Sequence, residues 1–270
     1  MFFGSCVKYE YIYPEKLPSS GGLNDNADNK ETFMRMISRS IASLSTVLSL
    51  MCFSLPAYAW HDKTHLSVAE AAGFELWYSS AAPDVAKSKS EFRPAEEKNH
   101  YFNNNAGKEV DAAMVMGQVA RYNKPDDVEG HLYGAIIGAV RAYQAESATG
   151  KYAEYPLVFC AHYIGDLSMP LHNTSYDDFN KSRHSINDGI IESNARNNIG
   201  FIQRNMEDIA ISNEADLARE IAKVANTSRR LGIQIRAEKR DMTQSEAYSQ
   251  VTRSASLFKG VLKYVGKKTA

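Results

Sequence analysis

The sequence predicts an all-α protein, a single compact helical domain over residues 60–270, on three observations. Apolar residues recur at helical spacing in segment after segment from Thr64 onward. No stretch shows the strict apolar–polar alternation of a half-buried strand. Glycine and proline fall between the periodic segments, and neither an internal repeat nor a glycine-rich phosphate loop is present.

Taken in order, the segment 64–78 carries Leu66, Val68, Ala69, Ala72, Phe74 and Leu76 on one side, with Thr64 as N-cap. Residues 79–105 read as loop, broken by Pro83 and Pro94 and closed by Asn103, Asn104 and Asn105, a cluster that makes turns or lines a cleft. A helix over 108–121 has Val110, Met114, Val115 and Val119 on its apolar side. A longer one over 126–148 is nearly all apolar from Leu132 to Val140 and so belongs at the centre. The segment 155–167 is a second buried helix, ended by Pro170. A polar loop over 173–183 then leads to a helix from His184 to about Asn197. Glu214 to Asn226 is amphipathic, and Thr243 caps a closing helix that runs to Val265.

The N-terminus reads as export machinery. Arg35 and Arg39 precede a serine-diluted apolar run, Ile41 to Phe53, and Ala57-Tyr58-Ala59 is a small-x-small cleavage site. The run is too short for a membrane anchor, which needs about 20 apolar residues. Cys52 raises a lipoprotein alternative, but Met51 before it is not the small residue usual there. Residues 34–59 are therefore a signal peptide. Residues 1–33, polar and aperiodic, are a non-structural or mis-assigned leader with Met34 or Met36 as the true start. The mature chain 60–270 is expected outside the cell or in a periplasm.

The whole chain has 31 basic against 32 acidic residues, a net charge of −1, so no basic excess advertises a polyanionic partner. Of three cysteines only Cys160 follows the cleavage site, so the mature chain has no internal disulfide and a metal cluster would have to serve as its staple. Cys160 reads as core.

All seven histidines lie after the cleavage site. His162 and Asp166 are four apart, hence on one helix face, and His184 and Asp188 repeat the spacing. His172 follows the first pair after the Pro170 turn. Imidazole and carboxylate at i, i+4 make a two-toothed wall for zinc, which takes N and O ligands. One such pair arises by chance; two pairs flanking a further His do not read as solvated helix faces.

This pattern, His162-x3-Asp166-x5-His172 and then His184-x3-Asp188, resembles the zinc-dependent phospholipase C and single-strand-specific nuclease superfamily. FCAHYIGDLSMPLHN (159–173) is similar to its central motif. The resemblance implies three Zn²⁺ ions. Trp60, through its free amine and carbonyl oxygen, and His65 would hold one, with Asp166 bridging to a second. The second would take His162, His100 and an upstream carboxylate: Asp84, sixteen before His100, or else Glu91 or Glu96. His172, His184 and Asp188 would hold the third. The implied activity is phosphodiester hydrolysis by a zinc-activated water, with Asp84 as its base or orienter.

Two features favour the phospholipase side: the interval of twelve from His172 to His184, and DMTQSEAYSQVTRSASLFKGVLKYVG (241–266), similar to the family's closing helix. Trp-x4-His and Asp188 follow the nuclease pattern. Phospholipase C-like hydrolysis of phospholipid, with transient contact to a membrane surface, leads. A single-strand nuclease is the alternative and a non-catalytic zinc-binding protein the third. A phospholipase should show an apolar rim, whereas a nuclease should offer aromatic stacking and salt dependence. His61 would sit at the pocket rim or at the surface. His131 reads as a helix-start or satisfied core histidine. Trp77 and Tyr163 read as packing residues, and Arg229 and Arg230 as solvated charges.

Overall fold

The structure, a computed structural model, describes residues 60–146 and 152–269. The leader, the signal peptide with its cleavage site, Cys52 and residues 147 and 148 of the expected central helix lie outside the described residues. Ten α-helices account for most of what is described, and no strand occurs among the described residues. They are α1 (Asp62–Ala71), α2 (Ala82–Lys87), α3 (Arg93–Glu96), α4 (Ala112–Gln118), α5 (Leu132–Glu146), α6 (Tyr155–Leu167), α7 (Asp178–Asp188), α8 (Ile199–Arg204), α9 (Glu214–Ala237) and α10 (Gln244–Tyr264). Among the described residues no helix is long and apolar enough to cross a membrane.

The centre is the α5–α6 pair. α6 is apolar nearly all round and buried from Cys160 to Leu167, so its polar residues cannot face solvent and must meet one another. Pro156 sits in its first turn, where a missing N–H costs nothing. At its other end Asn173 donates to the Leu167 and Met169 carbonyls, both 2.9 Å away, satisfying groups the helix leaves open. The first core cluster joins α5 and α6 to Leu217, Ile221, Phe258 and Val261 of α9 and α10. A second gathers Trp60, Val68, Met169, Leu171 and Ile235.

Several boundaries differ from expectation, each for a local reason. α1 stops at Ala71, because Gly73 turns the chain at φ 79°, and residues 77–79 form a separate 3-10 turn. Thr64 lies inside α1, whose open N–H groups at Lys63 and Thr64 are taken by Glu192, 3.0 and 3.1 Å away. The loop 79–105 contains α2, α3 and a 3-10 turn at Glu97–Asn99. α4 begins at Ala112 because Asp111 caps it, accepting from Met114 N at 2.7 Å. α5 starts at Leu132, not Asp126, since Gly130 at φ 77° interrupts the chain.

The largest change falls after Pro170. α7 begins at Asp178 and ends at Asp188, where a loop and then a helix to Asn197 are expected. Asp177 caps it, accepting from Asn180 N at 3.0 Å, and the polar run DFNKSRHSIND has too few apolar residues to announce a helix. α8 has no counterpart in the sequence reading. α9 continues past Asn226 to Ala237, since Gly232 packs flat on the turn after α6: a Cβ there would lie 2.8 Å from the Pro170 carbonyl. The closing helix agrees, its Thr243–Glu246 capping box complete.

Candidate metal centre

α6 supplies the centre of the site. His162 and Asp166, one turn apart, point from its face toward α1, α2 and the turn after α3. Asp166 Oδ1 lies 3.3 Å from His65 Nε2 on α1, and its Oδ2 lies 2.9 Å from His100 Nδ1 and 3.4 Å from His162 Nε2. With His172 Nδ1 3.8 Å from Oδ1, one carboxylate thus faces four imidazoles. Asp84 of α2 comes to 3.7 Å from His162 Nε2 and 3.8 Å from His100 Nδ1. On the other side His172, in the turn after α6, and His184 of α7 bring their Nε2 atoms within 3.0 Å, with Asp188 Oδ2 3.5 Å from His184 Nε2.

These eight buried side chains form three groups able to hold a metal ion: His65, His162 and Asp166; Asp84, His100 and His162; His172, His184 and Asp188. Partners on the far side of each ring decide which nitrogen faces inward. His162 Nδ1 donates to the Ser80 carbonyl at 2.8 Å, and His184 Nδ1 donates to Asn180 Oδ1 at 2.6 Å, so both leave Nε2 as a bare lone pair toward the cluster. His172 Nε2 lies 3.0 Å from the bare Nε2 of His184 and donates to it in one tautomer; in the other tautomer both lone pairs are free to hold a cation between them.

The orphaned atoms give the same answer. Both oxygens of Asp166 and Asp188, both nitrogens of His65 and Nδ1 of His172 are buried without a hydrogen-bond partner. Leaving one such group unmet costs about 1–3 kcal/mol, and more for a charged one. Here the orphans converge, and nitrogen and carboxylate donors are what a divalent cation takes. The buried His and Asp groups are positioned to bind metal ions; they do not say which metal.

The titration behaviour matches. Burial opposes the charge on Asp84 and Asp166, but the imidazoles around them, joined by Lys87 at Asp84, hold both carboxyls well below the usual range. Burial pushes His172 down to about 4 and His162 and His184 well below their ordinary value, keeping their lone pairs available at neutral pH. Two groups go the other way. Burial, with Asp166 adding repulsion, raises Asp188 well above the carboxylate range. At His100 burial and Lys87 oppose the proton, yet the Asp166 carboxylate 2.9 Å away and a hydrogen bond to Glu96 outweigh them and lift it to about 9. His100 therefore lends the metal-free fold stability that is complete below pH 6.5 and lost as pH rises through about 9. A metal ion must expel that proton, so capture tightens with pH up to that point. Metal uptake at pH 7 should release about one proton per chain, from His100. Calorimetry in buffers of different ionisation enthalpy reads this directly, and a count near zero would contradict it.

His65, Asp84, His100, His162, Asp166, His172, His184 and Asp188, all singled out from the sequence, come together here. Asp84 is the upstream carboxylate that reaches the cluster. Glu91 is exposed, and Glu96 meets His100 from behind, accepting at Nε2 at 3.2 Å. Trp60 is fully buried, its indole donating to Ser168 Oγ at 3.2 Å. Tyr163, expected only to pack, donates its hydroxyl to Glu96 Oε1 at 2.7 Å. His131 is a satisfied core residue, held by Asp127 and Asn99 at 2.9 and 3.0 Å. Cys160 is core. Trp77 takes Arg196 over its ring at 4.1 Å. His61 is half-buried rather than surface-exposed, set against Gly189. Asn104 makes the expected turn, bonding Lys108 N and O.

Two residues escaped the sequence reading. Lys87, buried at 6% exposure, places Nζ 2.7 Å from Asp84 Oδ1; its spacing three after Asp84 was the available signal. Gly165 lets His65 lie flat on His162, ring centroids 3.7 Å apart, because a Cβ at 165 would meet His65 Nδ1 at 2.5 Å. Gly165→Ala should therefore displace His65 and cost one bound metal while the helical circular dichroism of the protein persists. Full metal content in this variant would show that His65 is not held where the glycine puts it.

Fold and site together define a protein whose described residues are mostly helical, with three buried His/Asp clusters positioned to bind metal ions. No protein-family model matches the chain, and no curated protein matches it.

Proposed function

We propose that the chain is an exported phosphodiesterase that works with three zinc ions, of the zinc-dependent phospholipase C and single-strand nuclease type. The observation that carries this reading is the set of three His/Asp groups within one buried site, two of them sharing His162. His65 and Asp166, with the backbone of Trp60, would hold one ion; Asp84, His100 and His162 a second; His172, His184 and Asp188 the third. Zinc held there supplies Lewis acidity, activating a water for attack and stabilising charge on the phosphoryl oxygens.

The chain's own residues then do the positioning. A cavity of about 110 Å³ opens beside the clusters, lined by Lys87, His100, His172 and His184, and it admits little more than a phosphoryl group. Lys87 reaches both this cavity and Asp84. Its ammonium holds the Asp84 carboxylate ionised and in place and offers a positive charge to a phosphoryl oxygen. Asp84, ionised and directed inward, is the group to orient the attacking water.

With only the phosphoryl group inside, the rim selects the rest of the substrate. Tyr101 and Tyr176 line it, and Lys98 and Lys181 stand 5.6 and 5.5 Å from their ring centroids. Aromatic faces beside cations suit a single-stranded nucleic acid, through base stacking and backbone attraction, better than an apolar lipid surface. The geometry thus favours a single-strand nuclease. Phospholipid remains the second reading, favoured by the twelve-residue interval from His172 to His184.

The test is the protein matured to Trp60, its zinc counted, assayed side by side on single-stranded DNA and RNA, phosphatidylcholine and p-nitrophenylphosphorylcholine. Preferential, salt-sensitive cleavage of single strands is expected. Inactivity on every phosphodiester with zinc fully bound would leave a non-catalytic metal protein. Fewer than two tightly bound ions would overturn the cluster.

A further inference from the structure

A second cavity, of about 180 Å³, lies next to the metal pocket and is lined by Arg229 and Arg236 of α9 with Asn104, Thr174, Ser175 and Asp177. It shares its walls with the first. Asn103 lines the metal pocket and Asn104 this one; His172 lines the first and Asn173 the second; Tyr176 faces the first while Ser175 and Asp177 face the second. Neighbouring residues on the same stretches of backbone thus line the two cavities.

Its charges are uneven. Arg236 is engaged: it pairs with Asp177, and its Nη2 lies 3.3 Å from both Thr174 Oγ1 and the Ser175 carbonyl. Arg229 is not the freely solvated charge the sequence suggests. Its Nη1 donates to the Gly107 carbonyl at 3.1 Å, while Nε is buried with no hydrogen-bond partner. Two guanidiniums thus face one carboxylate across a small concavity with hydroxyls at its wall. With Nε shielded, the guanidinium offers the cavity its Nη groups, planar donors suited to a phosphate.

We propose that this cavity is an anion subsite, with Arg229 as its main donor, that binds the neighbouring phosphate of a single-stranded oligonucleotide whose scissile phosphodiester lies at the metal centre. The proposal deepens the phosphodiesterase reading and rests on it for the position of the scissile bond. It predicts a dependence on substrate length: a dinucleotide has no second phosphate to offer, whereas a pentanucleotide has.

The experiment compares the zinc-loaded protein with Arg229→Gln, and with Arg230→Gln as a control for loss of an exposed charge next door. Cleavage of a dinucleotide and of a pentadeoxynucleotide is measured, together with binding of a labelled phosphorothioate pentanucleotide at several salt concentrations. Arg229→Gln should lower kcat/KM on the pentanucleotide at least about tenfold, the scale of one charge-assisted contact, and leave the dinucleotide unchanged. The slope of log affinity against log salt should flatten by about 0.7, one phosphate contact on a single strand. Arg229→Lys should restore the salt slope but not the full affinity, because the fork is lost. Equal losses on both substrates, or a matching loss in Arg230→Gln, would overturn the subsite. Vesicles containing a phosphorylated inositol lipid form the last arm. Arg229-dependent hydrolysis there, with none on oligonucleotides, would reassign the cavity to a lipid headgroup and overturn the proposal as stated. Arg229-dependent oligonucleotide binding without hydrolysis of any phosphodiester would refute the enzyme reading and leave the subsite standing. Hydrolysis without Arg229 dependence would do the reverse.

Discussion

Asp166→Asn should remove at least two bound metal ions and lower activity by about a thousandfold or more, with several kcal/mol of charge stabilisation lost. The reason is the number of groups that one carboxylate faces. Oδ1 looks toward His65 at 3.3 Å and His172 at 3.8 Å, and Oδ2 toward His100 at 2.9 Å and His162 at 3.4 Å. An amide of the same shape turns an N–H₂, with its positive end, toward one of those sets and lacks the charge for either. A second readout is independent of catalysis. Asp166 is one of the two carboxylates that hold the His100 proton, so in metal-free Asp166→Asn the His100 titration should fall from about 9 toward its ordinary value, visible by NMR. Asp188→Asn is the contrast: of the imidazoles named here Asp188 approaches His184, 3.5 Å away, and its loss should cost the third ion while leaving the other two. If Asp166→Asn keeps its full metal content, the carboxylate is not shared and the three groups are not one centre.

How far the sequence leads depends on whether a feature is local. α6 is legible because its apolar run is framed by Pro156 and Pro170, and its i, i+4 pair fixes a shared face without knowledge of the fold. α10 is legible from its capping box. α7 is not, since its stability comes from contacts distant in sequence: Asn180 donates to the Leu171 carbonyl, and Asn187 bonds both Asp241 and the Met242 backbone. Its His184 and Asp188 could still be paired, because four residues along any helix make one turn. The family resemblance pointed to Asp84 with Glu91 and Glu96 as alternatives, but not to what Asp84 does with Lys87. The support behind His100 was out of reach for the same reason as α7. Glu96 is fixed by Tyr163 from α6 and by Asn99, and Asn99 in turn by His131 at the start of α5. Spacing paired His162 with Asp166 and His184 with Asp188, and the resemblance added His65, His100 and Asp84; the groups that orient them are assembled only by the fold.

The sharpest test of the site concerns a residue that contributes no side-chain ligand. One alanine placed ahead of Trp60 in the matured protein should cost one metal ion and lower activity by about a hundredfold or more, with little change in the stability of the metal-free fold. The chain around Trp60 has no freedom to compensate. Its indole is fully buried beside Met169 and Leu171 and tied to Ser168. The next residue, His61, donates its N–H to the Asp188 carbonyl at 3.4 Å and accepts at its own carbonyl from His65 N at 3.3 Å. Glu192 clamps the first turn of α1 from the end of α7. Residue 60 is thus pinned between the two segments that carry Asp166 and Asp188. A free amine at that point has a lone pair for a metal ion once deprotonated. An amide nitrogen, its lone pair delocalised into the carbonyl, has none to give. Because the indole anchors the register, the added alanine cannot slide into the old position and must convert the amine into an amide. Unchanged zinc content would remove Trp60 from the ligand set and leave the first ion to His65 and Asp166. Loss of one ion would mean that a chain in which Ala59 still occupies that bond cannot complete the centre, which would make the proposed cleavage before Trp60 a condition for metal binding.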